Sequence, residues 1–145
     1  MALVNGILHG YEIKSENDTL TRLPQQVLIY SSVLDQATLV VAEKHLKRAL
    51  DVVPDWWGVE LVLSNSKGFP VIETLRLPQD NQNIEAVYVA QLLWRDEVLQ
   101  FLEELDAAKG YRSKPRHILH HRLSEVATLD EIRKRVRFHL KARTE

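Results

Sequence analysis

Glu12 and Lys14, one position apart, are the residues whose types and spacing best suit hydrolytic chemistry. The segment Leu8 to Ser15 reads as a β-strand. Strand side chains alternate between faces, so the carboxylate and the ammonium project together while Ile13 points the other way, into the core. An anionic oxygen ligand for a hard cation, beside a cation that orients a water or steadies a phosphate, is what a metal-dependent phosphodiesterase needs. The same tripeptide is far more often an ordinary solvated ion pair on a sheet, worth about 0.2 to 1 kcal/mol. Spacing alone does not separate the two readings.

Other constellations carry less. His117, His120 and His121 recur at helical spacing, and imidazoles four residues apart share a face that could hold zinc or copper. A structural or phosphate-facing role is the preferred reading. Trp56 and Trp57 could stack on nucleic-acid bases, although adjacent tryptophans more often cap a core. No Gly-rich phosphate loop, nucleophile elbow or dinucleotide fingerprint is present. The chain has no cysteine, which excludes disulfides, zinc-thiolate sites and a cysteine nucleophile.

The formal charge of -1 hides an asymmetry. Residues 110 to 145 hold ten of the 19 Lys and Arg but four of the 20 Asp and Glu, so the C-terminal quarter is +6 and the remainder -7. A basic segment of this kind, with Lys114, Arg116, Arg133 and Arg137 as candidate phosphate contacts, suits a DNA backbone; a solvated helix face is the competing explanation. No apolar run approaches the roughly 18 residues of a membrane span, and the first residues lack a signal-peptide pattern, so a cytoplasmic protein without a membrane partner is expected.

The elements that would position these residues are readable from periodicity. Ala2 to Leu8 around Asn5-Gly6 is a hairpin signal, with a two-residue turn setting Val4 opposite Ile7 and Leu3 opposite Leu8. Glu12 then pairs beyond Met1 unless Gly10 forms a bulge. An amphipathic helix follows on Leu20, Leu23, Val27, Tyr30 and Leu34, carrying Gln26 and Tyr30 on one face. Residues 37 to 42 read as a buried strand, 43 to 52 as a short helix, and 56 to 63 with 69 to 75 as a hairpin. From Ile84 the chain is helical, with a break near Trp94 to Glu97, a helix after Pro115, and a last helix opened by a Thr128/Glu131 capping box. The last two helices allow a helix-turn-helix reading or plain amphipathic packing. The division expected is an α/β core over 1–78 and a helical region over 79–145, with the unpaired hairpin edge as a surface for a homodimer.

The order hairpin, Glu12-x-Lys14, helix with Gln26-Val27-Leu28-Ile29-Tyr30, apolar strand resembles the PD-(D/E)xK nuclease superfamily. Gly10 to Ser15, Asp55-Trp56-Trp57-Gly58 and Leu92 to Glu97 are similar to a family of small bacterial proteins within it. The resemblance implies a restriction-endonuclease-like mixed central sheet flanked by helices, with a helical C-terminal region. It implies DNA as substrate and Mg²⁺ or Mn²⁺ held by Glu12 and the Ile13 carbonyl. Lys14 would orient the water or stabilise phosphorane charge, with Gln26 and Tyr30 bracing Lys14 or touching the phosphate. A catalytically silent DNA-binding or protein-interaction module on the same fold is the alternative. The metal-binding Asp of the superfamily would fall at or before Met1, so that Glu16 or Asp18 substitutes, a partner chain completes the site, or the site is silent.

Overall fold

The computed structural model describes residues 2 to 143. Contacts divide the chain into two compact units, Met1–Asn83 and Ile84–Glu145. The polar segment 78–83 belongs to the first unit, where Asn81 is buried. Its side-chain amide donates to the carbonyls of Ser31 and Leu34, at 2.7 and 2.9 Å.

The first unit is a five-stranded mixed sheet with helices, in the chain order β1 (Ala2–Asn5), β2 (Ile7–Lys14), α1 (Leu23–Val33), β3 (Gln36–Ala42), a 3-10 turn (Glu43–His45), α2 (Leu46–Leu50), β4 (Gly58–Ser64) and β5 (Pro70–Arg76). Spatial order equals chain order: β2, β3 and β4 are parallel, and antiparallel β1 and β5 form the edges. Parallel neighbours need crossovers, and such crossovers are right-handed in nearly all sheets. Both crossovers step the same way across the sheet, so α1 and α2 lie on one face. That face buries Leu8, Ala37, Leu39, Val41, Val59 and Leu61 against Leu23, Val27 and Leu34.

Two local expectations are corrected. Only Gly6 stands outside the β1–β2 ladder, with φ of 77°, so Val4 faces Leu8 rather than Ile7. Glycine tolerates this conformation without steric cost, and Asn5 is thereby freed to extend the strand. Gly10 is no bulge. A Cβ there would stand 2.2 Å from Leu34 Cδ1, so the glycine permits close approach of the chain leaving α1.

The second unit is helical, with α3 (Ala86–Ala90), α4 (Arg95–Glu104), α5 (Arg116–Val126) and α6 (Leu129–Ala142) around Val89, Leu93, Val98, Leu102, Leu119, Leu123, Ile132 and Val136. The capping box at α6 is present: Glu131 N–H donates to Thr128 Oγ1 at 3.2 Å, and Thr128 N–H donates to Glu131 Oε2 at 2.7 Å. The break between α3 and α4 falls at residues 91 to 94. Among the described residues no helix is long and apolar enough to cross a membrane.

Candidate functional site

The orientation of β2 reverses the expectation for Ile13. Its side chain is 53% exposed, whereas Glu12 and Lys14 are 7% and 5% exposed on the helix-covered face. The reason is parity. Leu8 and Gly10 belong to the same alternating set as Glu12 and Lys14, and the Gly10–Leu34 contact ties that set to the helix side. The pair is therefore no solvated surface bridge.

Lys14 Nζ lies 3.0 Å from Glu12 Oε1, and the Tyr30 hydroxyl donates to Glu12 Oε2 at 3.1 Å. Each carboxylate oxygen thus has a partner. Burial of the two ions costs several kcal/mol each before their attraction is counted, and such pairs persist only with added hydrogen bonds. Tyr30 supplies one. Burial raises the pKa of the phenol, and the charge and hydrogen bond of Glu12 raise it further, so Tyr30 stays protonated and donates.

Gln26 follows from helix geometry. α1 runs back along β2, so one turn earlier than Tyr30, about 6 Å along the axis, matches two residues further along the strand, about 6.6 Å. Gln26 thus stands one helical turn before the Tyr30–Glu12 contact, on the side toward the end of β2. Its Oε1 is buried and has no hydrogen-bond partner. An unpaired amide oxygen is suited to accept a hydrogen bond from a water or hydroxyl. Tyr30 is stacked in turn on Trp57, 6.1 Å between centroids, and Trp57 is fully buried with Trp56 against its edge.

Several positioning residues had no motif to announce them. Asp35 is buried at the junction of α1 and β3; its Oδ2 accepts from Leu8 N–H at 2.6 Å and its own N–H donates to the Leu8 carbonyl at 2.9 Å. With Asn81 on the last carbonyls of α1, this clamp fixes the helix over β2. Asp18 closes the turn after β2, accepting from Ser15 N–H and Oγ at 2.7 and 2.8 Å, and these bonds lower its pKa. It is occupied locally. Glu16 lines a depression of about 570 Å³ at the carboxyl ends of β2, β3 and β4 together with Lys14 and Glu43.

The described residues offer a poor metal centre. No group of three or more His, Cys, Asp or Glu could hold an ion among them. Glu12 brings one carboxylate already engaged on both oxygens, and Ile13 stands in the ladder opposite Val40. Mg²⁺ demands near-octahedral oxygen coordination, so this donor set does not fit it unaided.

In the helical unit the candidate phosphate contacts are spread and mostly engaged. Arg116 donates to the carbonyls of Gln91 and Leu93, at 2.9 and 3.4 Å; Arg133 lies 3.6 Å from Asp130; Lys114 is exposed and Arg137 half-buried on α6. Arg135 and Arg143 close on Glu104 and Glu97. Of the histidines, His120 is buried with Nε2 3.2 Å from the Leu93 carbonyl, while His117 and His121 are exposed and His121 faces Glu125 at 3.2 Å. Burial lowers the pKa of His120, an effect opposed by Leu93 and reinforced by Arg116 and His117.

No solved structure matches this chain. Protein cII of Enterobacteria phage P4 is 34% identical over 79 residues, a stretch covering 53% of this chain and 30% of that protein. The family model described as bacteriophage P4 protein cII matches residues 1–145, the whole chain. The chain belongs to the bacteriophage P4 protein cII family.

Proposed function

We propose that this chain is a nuclease-fold protein of the PD-(D/E)xK type that acts on the phosphodiester backbone of DNA, with metal-dependent hydrolysis as its chemistry. The observation that carries the reading is the Glu12–Lys14 pair, buried on the helix-covered face of a parallel strand with Tyr30 on the carboxylate. The element order supports it: a hairpin ending in Glu-x-Lys, a crossover helix bearing Gln26 and Tyr30, then an apolar parallel strand. Lys14 would meet a phosphate oxygen, Tyr30 would hold the Glu12 carboxylate in orientation, and Gln26 would accept from the attacking water. A bound Mg²⁺ or Mn²⁺ would supply charge neutralisation at the phosphate, and beyond Glu12 and the Ile13 carbonyl it would need its remaining oxygens from the phosphate and water.

The incomplete donor set favours a second reading, a DNA-binding module on the same fold without catalysis. One experiment separates them. Under the first reading, the purified chain with Mn²⁺ cleaves DNA, and Glu12→Gln or Lys14→Met, with unchanged circular dichroism, abolishes cleavage. DNA that stays intact overturns it. The second reading then requires gel retardation that weakens steeply with salt and is indifferent to Glu12→Gln.

A further inference from the structure

We propose that the depression between the start of α1 and α2 is a subsite for one phosphodiester group of a nucleic-acid strand, flanking the Glu12–Lys14 pair. The proposal rests on the reading above for the identity of the strand. The depression encloses about 400 Å³, and its lining includes Thr19, Thr21, Pro24, His45 and Arg48.

Three observations assign it an anion. α1 is eleven residues long and begins beside the depression with Pro24 in its first turn, no side-chain cap and no acidic residue to offset its positive end. His45, in the 3-10 turn after β3, is 92% buried by its 8% exposure, yet its Nε2 has no hydrogen-bond partner. A buried polar nitrogen left unpaired is costly, and a bound acceptor would relieve it. Arg48 is exposed on α2 and makes no ion pair among the described residues, in contrast to the engaged arginines of the helical unit. A guanidinium with two threonine hydroxyls offers the donors a phosphate prefers.

Asp18 lines the same depression and decides which phosphate enters. Its carboxylate is held by Ser15, so it remains charged and in place. A dianionic phosphate monoester is repelled by it; a phosphodiester, carrying one charge, is tolerated. Asp18 follows Lys14 by four residues in the turn after β2, which puts the depression beside the end of the strand that carries the buried pair. A strand with one phosphodiester at Lys14 would therefore present a neighbouring one here.

The probe is thymidylyl-thymidine, a dinucleotide with a single phosphodiester, titrated into the isotope-labelled full chain and followed by amide NMR. Amides of residues 19 to 25 and 45 to 48 should shift, and Arg48→Ala, on an exposed position that leaves the fold intact, should weaken binding about tenfold or more. Asp18→Asn should admit inorganic phosphate that the natural chain excludes, a gain that a merely structural role would not produce. Shifts confined to residues 12 to 14 and 26 to 30, or an Arg48→Ala titration equal to that of the natural chain, would overturn the subsite while leaving the nuclease reading standing. Shifts at 19 to 25 and 45 to 48 without DNA cleavage support the subsite and reject hydrolysis.

Discussion

In the sheet unit two opposite charges, Glu12 and Lys14, are sunk beneath α1, whereas in the helical unit the charged residues lie at the surface and close on one another or on backbone carbonyls. The second arrangement is the inexpensive one. Exposed pairs such as Arg112 with Glu103, 3.1 Å apart, contribute little and lose little when broken. A buried pair commonly leaves a protein no more stable than apolar residues of similar volume would. The difference teaches that stability does not explain Glu12 and Lys14, and that several arginines of residues 110 to 145, among them Arg112, Arg116, Arg135 and Arg143, are already engaged on carboxylates or carbonyls of the helical unit.

The comparison can be broken most forcefully at Lys14. Replacing it with alanine strands the Glu12 carboxylate in the core and should cost about 3 to 5 kcal/mol in urea unfolding. The double replacement Glu12→Leu with Lys14→Met should recover most of that loss. A single-variant cost below about 1 kcal/mol would instead mark the pair as an ordinary exposed bridge. In the helical unit Thr128→Ala removes the α6 cap and should cost about 1 kcal/mol, read from the same unfolding midpoint.

A smaller effect is expected in acid. Burial holds the His120 pKa below its ordinary value of 6.5, so below about pH 6.5 the unfolded chain takes up a proton that the folded chain refuses. Stability is therefore complete above that pH and declines as pH falls toward the folded value. The decline is modest because the Leu93 carbonyl accepts from the ring in either charge state. Urea midpoints at about pH 7.5 and 5.5 should differ, and His120→Gln should shrink the difference. His9, whose pKa burial also lowers against the opposing charge of Glu60, contributes in the same direction.

Much of the frame was legible because it rests on local rules. The period of α1, the apolar run of β3 and the Thr128/Glu131 box each state their structure within a few residues. The face of β2 was not legible. Alternation yields two sets, Leu8 with Glu12 and Lys14, or Ile7 with Ile13, and both contain apolar residues. Which set is covered depends on crossover handedness and on Leu34 meeting Gly10, facts that span some two dozen residues of chain. His45 was invisible for a similar reason. A histidine at the end of a strand carries no pattern until the tertiary structure closes around it.

The stack of Tyr30 on Trp57 gives the site an optical consequence. Indole emission responds to nearby charge and to hydrogen bonding at a stacked ring, and Trp57 is separated from the Glu12 carboxylate only by the Tyr30 phenol. Whatever draws that carboxylate away from the phenol alters the surroundings of a fully buried fluorophore, while Trp94, 59% exposed in the other unit, emits as a solvent-facing indole. Any rearrangement of the buried pair should thereby be readable in the intrinsic fluorescence of the unlabelled protein.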